Sequence, residues 1–223
     1  MAIDNATGNQ TAGDTLPLSW LDRPAERWNA ALHGIMALVT LATLSVLISR
    51  IRDGFVYDAV FLLGLLLMFS ASATYHALPA CSRWKQVFQK LDHLAIYVAI
   101  AGTYTPVAMS VIGGTWGLAI CVLQWLLALS GLVFKSVTFR KSRFLLVLSV
   151  VHYVLMGWSI VLFLPFLPVT LPAPLFLLML AGGIFYSAGL VFFAGKHRYS
   201  HVIWHLFVNG GALCHLAALV WLR

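Results

Sequence analysis

Ser200-His201-Val202-Ile203-Trp204-His205 opens a run that stays largely apolar to Leu222, and this stretch decides how the chain is read. From Val202 to Leu222 it covers about 20 residues, which at about 1.5 Å per residue crosses a hydrocarbon core of about 30 Å. It reads as a membrane span. Its first turns carry His201 and His205, an i, i+4 pair on one helix face with Cβ atoms about 5–6 Å apart, so both imidazoles can reach one metal ion. The pair gains weight only if other ligands arrive at the same depth.

Working outward, six more apolar runs occupy roughly 30–48, 57–78, 92–111, 115–134, 144–164 and 174–195, each about 20 residues long. The expected fold is an all-α integral membrane protein, a seven-transmembrane-helix bundle with its N-terminus cytoplasmic and its C-terminus outside. Composition agrees: 61% of the 223 residues are hydrophobic and 9% charged, against about 25% charged in a soluble domain. Residues 1–24 are rich in Asn, Thr, Gly and Asp and lack the basic and apolar regions of a signal peptide, so a disordered tail is expected there, followed by one domain over 25–223. The net charge of +7 does not indicate a nucleic-acid binder, because Lys and Arg fall in short connections rather than on a basic face. Cys81, Cys121 and Cys214 are odd in number and form no CxxC spacing, and are expected to be small apolar fillers.

Orientation follows from the Lys and Arg residues. With the N-terminus inside, Arg23, Arg27, Arg83, Lys85, Lys90, Lys135, Arg140, Lys141, Arg143, Lys196 and Arg198 face the cytoplasm, and Arg50, Arg52 and Arg223 face outward. Eleven against three, of 14 in all, is a positive-inside pattern.

That topology sets the depth of each polar group. Ser72 and His76 close the second run, Asp92 and His93 open the third, His201 and His205 open the seventh, and Glu26, Asn29 and His33 enter with the first. Four helices thus deliver metal-capable groups to one leaflet. His76, His201 and His205 form the expected ligand trio, since two share a helix face and the third meets them from another helix. His33 and His93 are near enough to support them or to serve as alternative ligands, and Glu26 and Asn29 are further candidates for support at this height. Three imidazoles suit zinc better than magnesium or calcium and leave a fourth tetrahedral position for water. Asp92 is the expected base, and Ser72, at i, i+4 to His76, the expected hydroxyl on the same face. His152 and His215 read as ordinary intramembrane hydrogen-bonding groups, and His197 as solvated. Thr105-Pro106 predicts a kink in the third helix, and Trp28, Trp84 and Trp116 an interfacial belt.

Ser72-Ala73-Thr74-Tyr75-His76, Leu91-Asp92-His93-Leu94-Ala95-Ile96-Tyr97, Ala101-Gly102-Thr103-Tyr104-Thr105-Pro106 and His201-Val202-Ile203-Trp204-His205 resemble the haemolysin III branch of the progestin and adipoQ receptor (PAQR) family, over everything from about Glu26 onward. The resemblance implies a seven-helix, N-in protein with zinc on His76, His201 and His205 and with Asp92 and Ser72 beside the metal-bound water. Such proteins are also similar to alkaline ceramidases within a wider group of membrane hydrolases. The short tail lacks the larger N-terminal region of the animal hormone receptors, so hormone reception is not implied.

The expected function is therefore a zinc-dependent hydrolase of a lipid amide or ester, acting in membrane lipid homeostasis at the plasma (inner) membrane. Membrane lipids are its expected partners, nucleic acid is not, and a homo-oligomer is left open. The alternatives are a non-enzymatic membrane sensor with structural zinc and a pore-forming haemolysin. The last is disfavoured because seven uniformly apolar runs offer no channel-lining stripe or ring of charges.

Overall fold

The structure, a computed structural model, describes residues 24–49, 53–139 and 142–223. The expected tail, apart from Pro24, lies outside the described residues, as do Arg23, Arg50, Arg52, Arg140 and Lys141 from the orientation count. Among the described residues seven α-helices follow one another: α1 (Pro24–Ile48), α2 (Phe55–Ala77), α3 (Arg83–Pro106), α4 (Gly114–Thr138), α5 (Arg143–Phe163), α6 (Ala173–Phe193) and α7 (Ser200–Leu222). Each is long and apolar enough to cross a membrane. No strand occurs among the described residues. The odd-numbered helices begin at one end of the bundle, the histidine end, and finish at the far end.

α3 starts well before its apolar run. The Ser82 hydroxyl accepts the Trp84 N–H at 3.2 Å, satisfying one of the free donors at the helix start, and the helix then carries Lys85 and Gln89 before Asp92. An apolar window misses this polar first stretch, although Lys85 matters to the site. At the other end, the chain does not simply kink at Pro106. It runs on as a π-helical segment, Val107–Ile112, closed by the Gly113 N–H bonding the Ala108 carbonyl at 2.9 Å. Widening the turn by one residue rearranges the bonds that the proline ring cannot serve.

α1, α2, α3 and α7 share the main core, with Phe61, Leu65, Phe69, Ala99, Val208 and Ala212 all buried. Small residues let α2 and α3 close up: a Cβ on Gly64 would stand 3.2 Å from the Val98 carbonyl, and one on Gly102 3.2 Å from that of Val60. Backbone approach of this kind is how membrane helices gain contact without a hydrophobic drive between them. The outer faces keep Leu38, Leu126, Phe144, Leu155 and Val191 exposed, an apolar jacket that fits lipid rather than water. Trp28, Trp84 and Trp116 are exposed near helix ends, as an interfacial belt requires. Cys81 departs from expectation, lying exposed in the α2–α3 turn rather than filling space between helices.

At the far end, Arg223 reaches back from α7 to Asp58 in the first turn of α2. Its Nε and Nη2 meet the two carboxylate oxygens at 2.6 Å each, while Nη2 also donates to Ser110 Oγ at 3.1 Å. Gly54, at φ 85°, is needed here twice over: its backbone is left-handed, and a Cβ would stand 2.8 Å from the guanidinium. Arg223 therefore serves as a clamp between α2, α7 and the π-helical segment, and its charge is largely spent on Asp58.

Candidate metal centre

The histidine end gathers the polar residues of four helices. His76 from the last turn of α2 meets His201 and His205 from the first turns of α7, and one ring nitrogen of each lies within 4.8 Å of the others. His201 Nε2 and His205 Nε2 are 3.0 Å apart. A tetrahedral ion with bonds of about 2.0–2.1 Å sets its ligand nitrogens about 3.3 Å apart, so this pair already has nearly the right spacing. His76 and His205 are buried and His201 partly so.

His76 is held by a second layer. Its Nδ1 faces Glu26 Oε2 at 3.3 Å, which leaves the other nitrogen, Nε2, available to an ion. Lys85 fixes that carboxylate in turn, donating to Glu26 Oε2 at 3.0 Å and to the Tyr75 and Leu78 carbonyls at 2.9 Å each. The last carbonyls of α2 thus share a cation with Glu26. A carboxylate behind a ligating imidazole fixes its tautomer and raises its basicity, the usual support of a metal-bound histidine. Glu26 is the expected support; Lys85 was not anticipated, and the only signal for it was the short spacing from His76 across a tight turn.

The other expected residues fall around this trio in different ways. His33 stacks on His205 with ring centroids 3.8 Å apart and stands edge-on to Phe69. Asn29 is buried one turn before His33, and its backbone borders His205. Asp92 is partly buried and faces Ser72 and His76, without a hydrogen bond of normal geometry to Ser72 Oγ. His93 turns away from the trio. Its ring meets Phe139 at 5.6 Å, and its backbone carbonyl accepts the Tyr153 hydroxyl at 2.9 Å. Outside the site, His215 faces the Met179 carbonyl at 3.3 Å, His197 is exposed, and His152 packs edge-on against Tyr97.

Buried polar atoms normally find partners, so a cluster that does not is informative. Asn29 Oδ1, both ring nitrogens of His33, Ser72 Oγ, His76 Nε2 and His205 Nδ1 are buried at this level with no hydrogen-bond partner among the described residues. His76 Nε2, the ring nitrogen that Glu26 leaves unpartnered, is one of them. Nitrogen donors converging on one point from two helices fit a borderline-soft divalent ion.

This group opens onto a cavity of about 780 Å³. His76, His201, His205, Asp92 and Ser72 line one part of it, and Ile96, Ile100, Val154, Phe176 and Met179 carry it as an apolar passage toward the far end. The volume is that of a small-molecule site, and the lining is mostly apolar with polar groups collected at one end.

Residues 21–216 match the family described as Haemolysin-III related. The chain is 38% identical over 190 residues to the Hemolysin-3 homolog of Bacillus subtilis (strain 168), covering 82% of this chain and 87% of that protein. It is 36% identical over 190 residues to Hemolysin-3 of Bacillus cereus, covering 82% and 85%. Monocyte to macrophage differentiation factor of Homo sapiens is 29% identical over 169 residues, 70% of this chain and 66% of that protein. The match reaches all seven helices, ending within α7, and takes in the whole histidine end; the chain belongs to the haemolysin III branch of the PAQR family of multi-pass membrane proteins.

Proposed function

We propose that this chain is a zinc-dependent hydrolase of a lipid amide or ester, working from the cytoplasmic side of the plasma (inner) membrane. The observation that carries the reading is that the three-histidine group lies in the wall of an acyl-sized apolar cavity, with a carboxylate and a hydroxyl beside it. His76, His201 and His205 would hold the ion. Bound there, zinc supplies Lewis acidity, polarising a carbonyl and bringing the pKa of a water down to about 7.

The chain's own residues supply the rest. The apolar passage takes the acyl chain and keeps bulk water from it. Asp92 accepts a proton from the attacking water as its oxygen bonds to the acyl carbon, and returns that proton to the leaving nitrogen or oxygen as the old bond breaks. Ser72 donates a hydrogen bond to the carbonyl oxygen as negative charge grows on it. The products are a fatty acid and an amine or alcohol.

Glu26 acts through His76 rather than on substrate. Glu26→Gln removes the charge behind the imidazole and is expected to weaken zinc affinity by about 10- to 100-fold. Competition with a chromophoric chelator measures this; unchanged affinity would remove Glu26 from the metal's support.

The reading is tested by offering N-acyl and O-acyl lipids to purified protein in lipid nanodiscs and measuring free fatty acid. Release that stops on chelation and returns with zinc supports it. If no lipid is turned over by folded, zinc-loaded protein, the hydrolase is overturned, and the ion serves to staple α2 to α7.

A further inference from the structure

Lys135 stands in the last turn of α4, on the cavity wall at the histidine end, and only 4% of it is exposed. Burying an ammonium is costly unless a partner compensates it. Among the described residues no carboxylate does so. Glu26 is taken by Lys85 and His76, and Asp58 by Arg223 at the far end. Asp53 also lies at the far end, and Asp92 faces Ser72 and His76. Among the described residues Lys135 has no ion pair or hydrogen bond, and its Nζ stands 5.9 Å from the centroid of the Phe139 ring.

The surroundings repeat the same sign. Arg143 and Arg198 border the cavity at this end, and α5 begins beside them with Ser142 as its cap. His93 joins Lys135 to the metal layer, lying within electrostatic reach of Lys135 on one side and of His201 and His76 on the other. A buried cation on the wall of a cavity that two arginines also line, adjoining an apolar passage, is suited to an amphiphile with an anionic head.

We propose that Lys135 binds the phosphate of an acidic acyl lipid whose chain lies in the apolar passage. This deepens the hydrolase reading, on which it rests, by naming the substrate class: acyl lipids with an anionic phosphate head, held with the acyl bond near Asp92 and the histidines. Zwitterionic lipids of the same chain length enter less well, because a choline group would face Lys135, Arg143 and Arg198.

The test is a binding titration of purified zinc-loaded protein with lysophosphatidic acid, with lysophosphatidylcholine of the same chain, and with inorganic phosphate. Wild type is expected to bind lysophosphatidic acid about ten- to a hundredfold tighter than lysophosphatidylcholine, whose phosphate carries a single charge already accompanied by its own choline, so that its contact with Lys135 is weaker by about the worth of one charge-assisted hydrogen bond. Lys135→Met is expected to lose that preference and Lys135→Arg to keep it, which separates charge from folding. Equal preference in wild type and Lys135→Met would overturn the proposal. So would displacement of the lipid by millimolar inorganic phosphate, since the site would then be one for free phosphate. Because the titration reads binding, lost turnover with the preference intact overturns only the hydrolase, and intact turnover with the preference lost overturns only this assignment.

Discussion

Asp92→Asn is expected to lower lipid turnover by about 10²- to 10⁴-fold, the range for loss of a general acid–base group, while zinc content and folding stay as in wild type. The amide keeps the shape of the carboxylate but cannot accept the proton of an attacking water. Asp92 faces Ser72 and His76 without being one of the three converging ligands, so its loss spares the nitrogen set. Kinetics on matched preparations with measured zinc content check the prediction. Turnover within twofold of wild type would remove Asp92 as the base, and loss of zinc along with activity would make it a ligand instead.

The second large effect is on stability and comes from the opposite end. Arg223→Ala leaves Asp58, only 2% exposed, without its two-point partner, and breaking such a buried pair costs about 3–5 kcal/mol. Asp58 sits in the first turn of α2, where the free N–H groups of the helix stabilise it, so the loss belongs at the lower end of that range. The double variant Asp58→Ala/Arg223→Ala is expected to lose less than the sum of the two single changes, because neither charge is then stranded. Thermal unfolding in a fixed detergent reads all four proteins. A single variant as stable as wild type would show that the Asp58–Arg223 pair does not hold this end together.

The fold was legible because a lipid-facing helix has to be apolar for about 20 residues, and that requirement is written continuously along each run. What the runs could not give was the polar start of α3. Ser82, Lys85 and Gln89 lie at the interface, where apolarity is not required, and so the support of Glu26 by Lys85 went unseen. The π-helical segment was legible only as a disturbance at Pro106. The trio and its neighbours were legible by depth: once alternate helices are inverted, Ser72, His76, Asp92, His201 and His205 must share a level. Depth says nothing of rotation about the helix axis. That is why His33 and His93 looked alike in sequence, yet His33 stacks on His205 while His93 turns to Phe139. Rotation is set by which face packs against neighbouring helices, and in α3 that places Ala95 and Ala99 inward on the core with α2. The charge count was legible in sum but not in detail, since Arg223 is paired with Asp58 and Lys135 is buried.

The most direct measurement is metal content of detergent-purified protein supplied with zinc, wild type beside His76→Ala and His201→Ala, each shown folded by size exclusion. About one zinc per chain is expected in wild type and its loss from both variants, because two remaining imidazoles hold an ion far less firmly than three. Well-folded wild type that takes up no zinc, or variants that keep it, would contradict a zinc centre at His76, His201 and His205.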